Sequence, residues 1–82
     1  FVTIKVLFFA VSKEIAGLSE SELKVKSKIS YENLKQIICD NFGLEIIKGN
    51  IILAVNQDYC ENGELVLKEN DELAVIPPLS GG

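Results

Sequence analysis

The residues with the most chemical promise are the last four, Leu79-Ser80-Gly81-Gly82, which follow Ile76-Pro77-Pro78. Two glycines without side chains set an α-carboxylate on a thread narrow enough for a confined channel. Such a carboxylate has an unperturbed pKa of about 3.3–3.7, so it is ionised at neutral pH. Its delocalised charge makes the carbon a poor electrophile until a leaving group is attached. Residues 79–82, extended, reach roughly 13–14 Å at about 3.3–3.6 Å per residue. Pro77 and Pro78 fix their own φ and so limit the entropy lost on threading. Leu79 offers an apolar foothold, and Ser80 is small enough to pass. The expected reactive group is therefore the main-chain carbonyl carbon of Gly82. The plainer alternative is that Gly81-Gly82 is a frayed terminus.

Composition removes most other chemistries. Eighty-two residues, 48% of them hydrophobic, form one globular domain with room for a modest core but not for a deep substrate cavity beside it. The net charge is −4, every cation is lysine and no arginine occurs, which argues against a nucleic-acid partner and suits a basic protein surface. Without histidine, the commonest general base and metal ligand is missing. Cys39 and Cys60 stand alone, too few for an all-cysteine metal site, so no metal is expected. The longest apolar run, residues 6–11, is far short of a membrane span. With no secretory signature, a reducing cytoplasm is expected. Phe1 is not methionine, so an initiator or short extension is expected ahead of it.

Hydrophobic period supplies the elements that must hold the tail. Val2, Ile4, Val6 and Phe8 alternate with Thr3, Lys5, Leu7 and Phe9, predicting a first strand with one buried face. Residues 12–17 suit a single helical turn, with Ser12 as N-cap and Gly17 as stop. Leu23 and Val25 alternate with charged neighbours in a second strand. Ser30 as N-cap, the stripe Tyr31, Leu34, Ile37, Ile38 and Phe42, and then Gly43 predict a helix over residues 31–42. Residues 51–55 suit a third strand and 58–60 a short fourth, before the turn signal Asn62-Gly63. The apolar Leu65-Val66-Leu67 ends quickly, Asn70-Asp71 turns, and residues 72–76 form the last strand, stopped by Pro77. The predicted class is α+β: a mixed sheet with one main helix on one face. The domain spans 1–76 and the extended tail 77–82.

Three stretches carry a resemblance: Lys5-Val6-Leu7-Phe8-Phe9-Ala10, Ala54-Val55-Asn56-Gln57, and the run from Asn70-Asp71-Glu72-Leu73 through Ile76-Pro77-Pro78-Leu79-Ser80-Gly81-Gly82. Together they resemble the small subunit of molybdopterin synthase (the MoaD family), a ubiquitin-like β-grasp sulfur carrier, over the whole chain. Asn70 departs from the family's usual glycine, but asparagine also tolerates a left-handed turn. The resemblance implies that Gly82 is adenylated by an ATP-dependent activating enzyme and converted to a thiocarboxylate. The tail then enters the large synthase subunit and gives sulfur to a pterin precursor, forming the molybdopterin dithiolene. It further implies a heterotetramer of two small and two large subunits. This chain, not an enzyme on its own, would bind no cofactor; its lack of a phosphate-binding glycine loop accords with ATP being handled by the partner. Alternatives are a carrier for thiamine synthesis or tRNA thiolation, or a ubiquitin-like module that binds non-covalently.

Alternation also predicts a docking face. If Ile4, Val6 and Phe8 face the helix, Leu7 and Phe9 face the other way, as do Ala74 and Ile76 in the last strand. In the fold implied, the first and last strands are parallel central neighbours, which brings Phe9 and Ile76 together where the tail emerges. Tyr59 joins this patch by the family resemblance. Contiguous exposed apolar surface marks an interface; the alternative is that the chain's own loops cover it. One surface would serve both the activating enzyme and the large subunit. Cys39, on the flank of the helix, is expected to fill core space, and Cys60 has no base in sequence to activate it. Glu61, Glu64, Asp71 and Glu72 are expected to be solvated turn charges.

Overall fold

In β1 (Val2–Phe8) the alternation of residue types becomes an alternation of burial: Ile4, Val6 and Phe8 are buried while Lys5 is exposed. The structure is a computed structural model that describes residues 1–60 and 63–77, without the side chains of Tyr59 and Cys60. After β1 come α1 (Ala10–Ala16), β2 (Glu20–Val25), β3 (Lys28–Ser30) and α2 (Tyr31–Phe42). A 3-10 helix (Glu45–Asn50), β4 (Ile52–Val55), β5 (Asp58–Cys60), β6 (Glu64–Val66) and β7 (Glu72–Ile76) follow among the described residues.

The main helix begins and ends where its capping residues predict. Ser30 Oγ accepts the Asn33 N–H at 3.1 Å, and Gly43 takes the left-handed conformation, φ 71°, that closes the last turn. Leu34, Ile38 and Cys39 of α2 are fully buried against the sheet. Burying a leucine or isoleucine of this kind stabilises the fold by about 1.5–3 kcal/mol. At the far end of the helix, Phe42 meets Phe8 edge to face, ring centroids 4.8 Å apart, and so fixes α2 to β1.

The five-stranded sheet has the order β2-β1-β7-β4-β5. β1 and β7 pair in parallel at its centre, and the other pairs are antiparallel. This is the mixed sheet with a helix on one face that the sequence predicts. The register sets Lys5 beside Glu72, Leu7 beside Ala74 and Phe8 beside Val75. β3 and β6 form a separate antiparallel ribbon.

Several elements differ from the sequence reading. α1 starts at Ala10, capped by Phe9, and Ser12 is a buried residue of its first turn rather than the cap. Only Gly17, at φ 80°, does what was expected of it. β3 was not predicted, because three residues are too few to show a period. The 3-10 helix was missed too, because Glu45-Ile46-Ile47-Lys48 carries no 3.6-residue stripe; Ile46 is 82% exposed. Ile51 is buried but precedes β4 rather than opening it.

Asn56 and Gln57 make the tight turn between β4 and β5, both with positive φ (49° and 75°), as a two-residue primed hairpin turn requires. The Asn56 side chain donates to Asp71 Oδ1 at 3.1 Å and accepts the Glu72 N–H at 3.0 Å. Asp71 Oδ2 accepts the Lys68 N–H at 2.8 Å. Asp71 is thus a clasp between two turns, not a free surface charge. The Lys68 N–H first, then the Asn56 amide, hold its carboxyl below the ordinary carboxylate range. This clasp sits at the end of β7 opposite Pro77.

Candidate functional site

The outer face of the sheet changes character along β7. At the Glu72 end its neighbours are polar: Thr3, Lys5 and, on β2, Glu22 and Lys24. Toward Ile76 the same face carries Leu7, Ala74, Ala54, Ile52 and Ile76, each paired with another of the group by strand register. Strand period puts these residues on one face, since every second residue shares a face and paired residues share it across strands. The residue types then make one end of it polar and the other apolar. Leu7 and Ile76 are half-buried, Ile52 is 43% exposed and Phe9 is 47% exposed.

Phe9 belongs to this face although it lies outside β1. Its backbone stays extended (φ −124°, ψ 149°), so its ring continues the outward alternation before the chain turns at Ala10. Ala10 makes that turn with φ 51°. On the flank of the patch, Glu20 sits opposite Leu7 and lies 3.5 Å from Lys5 Nζ. The apolar end is therefore flanked on β2 by a Lys5–Glu20 ion pair.

Of the residues singled out from the sequence, Phe9, Leu7 and Ile76 thus share one surface. Tyr59 pairs with Ala54 in register, but its side chain lies outside the described residues. Ile52 was missed. It reads as one member of a continuous apolar run, and only its pairing with Ile76 turns it to this face. Pro77 is buried at the end of β7, and Pro78, Leu79, Ser80, Gly81 and Gly82 lie outside the described residues.

Side-chain chemistry is sparse elsewhere. Cys39 is fully buried, and burial pushes its thiol above the ordinary range, with the Glu45 carboxylate adding to the rise. A protonated, enclosed thiol is a core filler rather than a sulfur-handling nucleophile. Among the described residues, no group of three or more Cys, Asp or Glu side chains is placed to hold a metal, and no helix is long and apolar enough to cross a membrane.

The model of the ThiS family matches residues 6–82, almost the whole chain. The chain belongs to the ThiS family. Among its relatives, the molybdopterin synthase sulfur carrier subunit of Drosophila erecta is 46% identical over 83 residues, covering 99% of this chain and 92% of that protein. In structure the chain is similar to SAMP1 from Haloferax volcanii (TM-score 0.77, 21% identity, 98% of this chain and 99% of that one), which bears on the fold alone. It is also similar to a chain in the complex of subunits 1 and 2 of molybdopterin-converting factor from Helicobacter pylori. That likeness has a TM-score of 0.72 and 26% identity over 99% of this chain and all of that one. The ubiquitin-like β-grasp fold and the sulfur-carrier family resemblance are both borne out. The curated relative favours the molybdopterin branch over thiamine synthesis, tRNA thiolation or an idle interaction module.

Proposed function

We propose that this ThiS-family chain is the sulfur carrier subunit of a molybdopterin synthase, with the carboxyl of Gly82 as its working group. The observation that carries this reading is spatial: the exposed apolar face gathers at the end of β7 that leads into Pro77 and the tail. Nothing about a passive module requires its binding surface and its glycine tail to share one end. The identity with carrier subunits over nearly the full length supports the same reading.

The chemistry runs in three steps that partners complete. An ATP-dependent enzyme joins the Gly82 carboxylate to AMP and releases pyrophosphate, which gives the carbonyl carbon a leaving group. A sulfur nucleophile then displaces AMP, leaving a thiocarboxylate. Inside the large subunit that sulfur attacks the pterin precursor. Water then cleaves the Gly82 acyl–sulfur bond, so that sulfur stays on the pterin and the carboxylate is restored. The chain itself contributes the reach of residues 78–82, the lack of bulk at Gly81 and Gly82, and the docking of Phe9, Leu7, Ile76, Ile52 and Tyr59. It binds no cofactor in this scheme. The Helicobacter pylori complex of subunits 1 and 2 supports a large-subunit partner, and two copies of each in the cytoplasm are expected here.

Intact mass measurement tests the reading. After incubation with the activating enzyme, ATP and a sulfur source, one oxygen-to-sulfur exchange should localise to Gly82. A chain that is adenylated and sulfurated elsewhere, or not at all, would refute it.

A further inference from the structure

Between β1 and α1 stands a buried hydroxyl that the transfer chemistry does not use. Strand passes into helix through Phe9 alone, and Ala10 makes the turn in the left-handed region that disfavours any residue with a Cβ. Such a junction persists only if its surroundings hold it. Ser12, fully buried, is placed to do so. Its Oγ accepts the Phe9 N–H at 3.0 Å and donates to the Phe9 carbonyl at 2.6 Å. The same oxygen lies 3.3 Å from the carbonyl of Val75, on β7 just ahead of Ile76 and Pro77. The hydroxyl has one proton, so the shorter Phe9 bond dominates and Val75 takes a weaker share.

A helix cap would need only the Phe9 contacts. The reach to Val75 links the backbone beneath the exposed Phe9 ring to the strand that bears the tail. We propose that Ser12 is a positioning residue: it sets the Phe9 ring relative to the root of the tail, so that docking and threading occur in one geometry. This rests on the carrier reading and adds to it the residue that couples its two parts.

The test compares the wild-type chain, Ser12→Ala and the double variant Ser12→Ala/Ala10→Gly, in which glycine relieves the left-handed turn and restores stability. Three quantities are read: hydrogen exchange of the Phe9 amide, affinity for the large synthase subunit, and sulfur transfer at saturating large subunit from a chain with a C-terminal thiocarboxylate. Loss of a buried bond predicts about tenfold faster exchange and about tenfold weaker affinity in Ser12→Ala. Transfer at saturation should fall severalfold, because a misaimed tail slows the step after binding. In the double variant the thermal midpoint should recover while these losses remain. Recovery of affinity and transfer along with stability would overturn the proposal, leaving Ser12 a purely structural cap. An unprotected Phe9 amide in the wild-type chain would overturn it without any variant. Should the wild-type chain transfer no sulfur at all, the carrier reading falls. The coupling is then decided by amide shifts at Val75 and Ile76 in the variants: changed shifts support it and unchanged shifts overturn it.

Discussion

Replacing Phe9 with lysine separates the proposed docking role of the outer sheet face from any role in the core. Phe9 is 47% exposed, and a phenylalanine has about 150–250 Å² to bury, which leaves about 70–120 Å² free for a partner. At about 25 cal/mol per Å² that area is worth about 2–3 kcal/mol on docking. The dissociation constant for the large subunit should therefore rise by about 30-fold or more. The lysine stem still covers the half of the site that the domain itself buries, so the free chain keeps its fold. Titration calorimetry against the large subunit reads the first effect, and thermal unfolding of the free chain reads the second. Ile46→Lys is the control. Ile46 is 82% exposed on the 3-10 helix, away from the sheet face, so its loss should leave affinity unchanged. An affinity within twofold of wild type for Phe9→Lys would refute the assigned surface. Loss of cooperative unfolding would show that Phe9 is a core residue.

Three further perturbations probe the tail and the turns. Gly82→Ala, or a C-terminal tag, should leave the thermal midpoint unchanged and cut sulfur loading; normal loading in an untrimmed tagged chain, seen by intact mass, would contradict the tail chemistry. Asp71→Asn keeps one acceptor of the clasp in place of two and removes its charge, so it should lose about 1–2 kcal/mol at neutral pH. The Asp71 pKa is lowered in the folded state, so its stabilisation is present above the unfolded value of about 3.9 and is lost as pH falls through the folded value. Denaturant midpoints should therefore differ between wild type and Asp71→Asn at pH 7 and converge in acid, and a constant gap would refute the clasp. Gln57→Gly removes a side chain from a position at φ 75° and should stabilise by about 0.5–1 kcal/mol, seen as a raised thermal midpoint.

Much of the molecule is legible in one dimension where a local rule and burial agree. In β1, α2 and β7, period, caps and the stop at Pro77 point the same way, because each buries one continuous stripe on the same core. Gly81-Gly82 and the stretches around it carried the family and the proposed chemistry, since a backbone terminus needs no tertiary contact to be recognised. Only the folded chain decided the rest. Ile52 lies on the outer face of the sheet because β4 pairs with β7 in one register, and a shift by one residue would have turned it inward. Ser12 is buried because the turn at Ala10 tucks α1 against β7, a contact between residues 63 apart in sequence. β3 and β6 exist only as each other's partners, for three residues have no stability or period of their own. Short-range pattern determines which stripe of an element is apolar; pairing across the chain determines what that stripe meets.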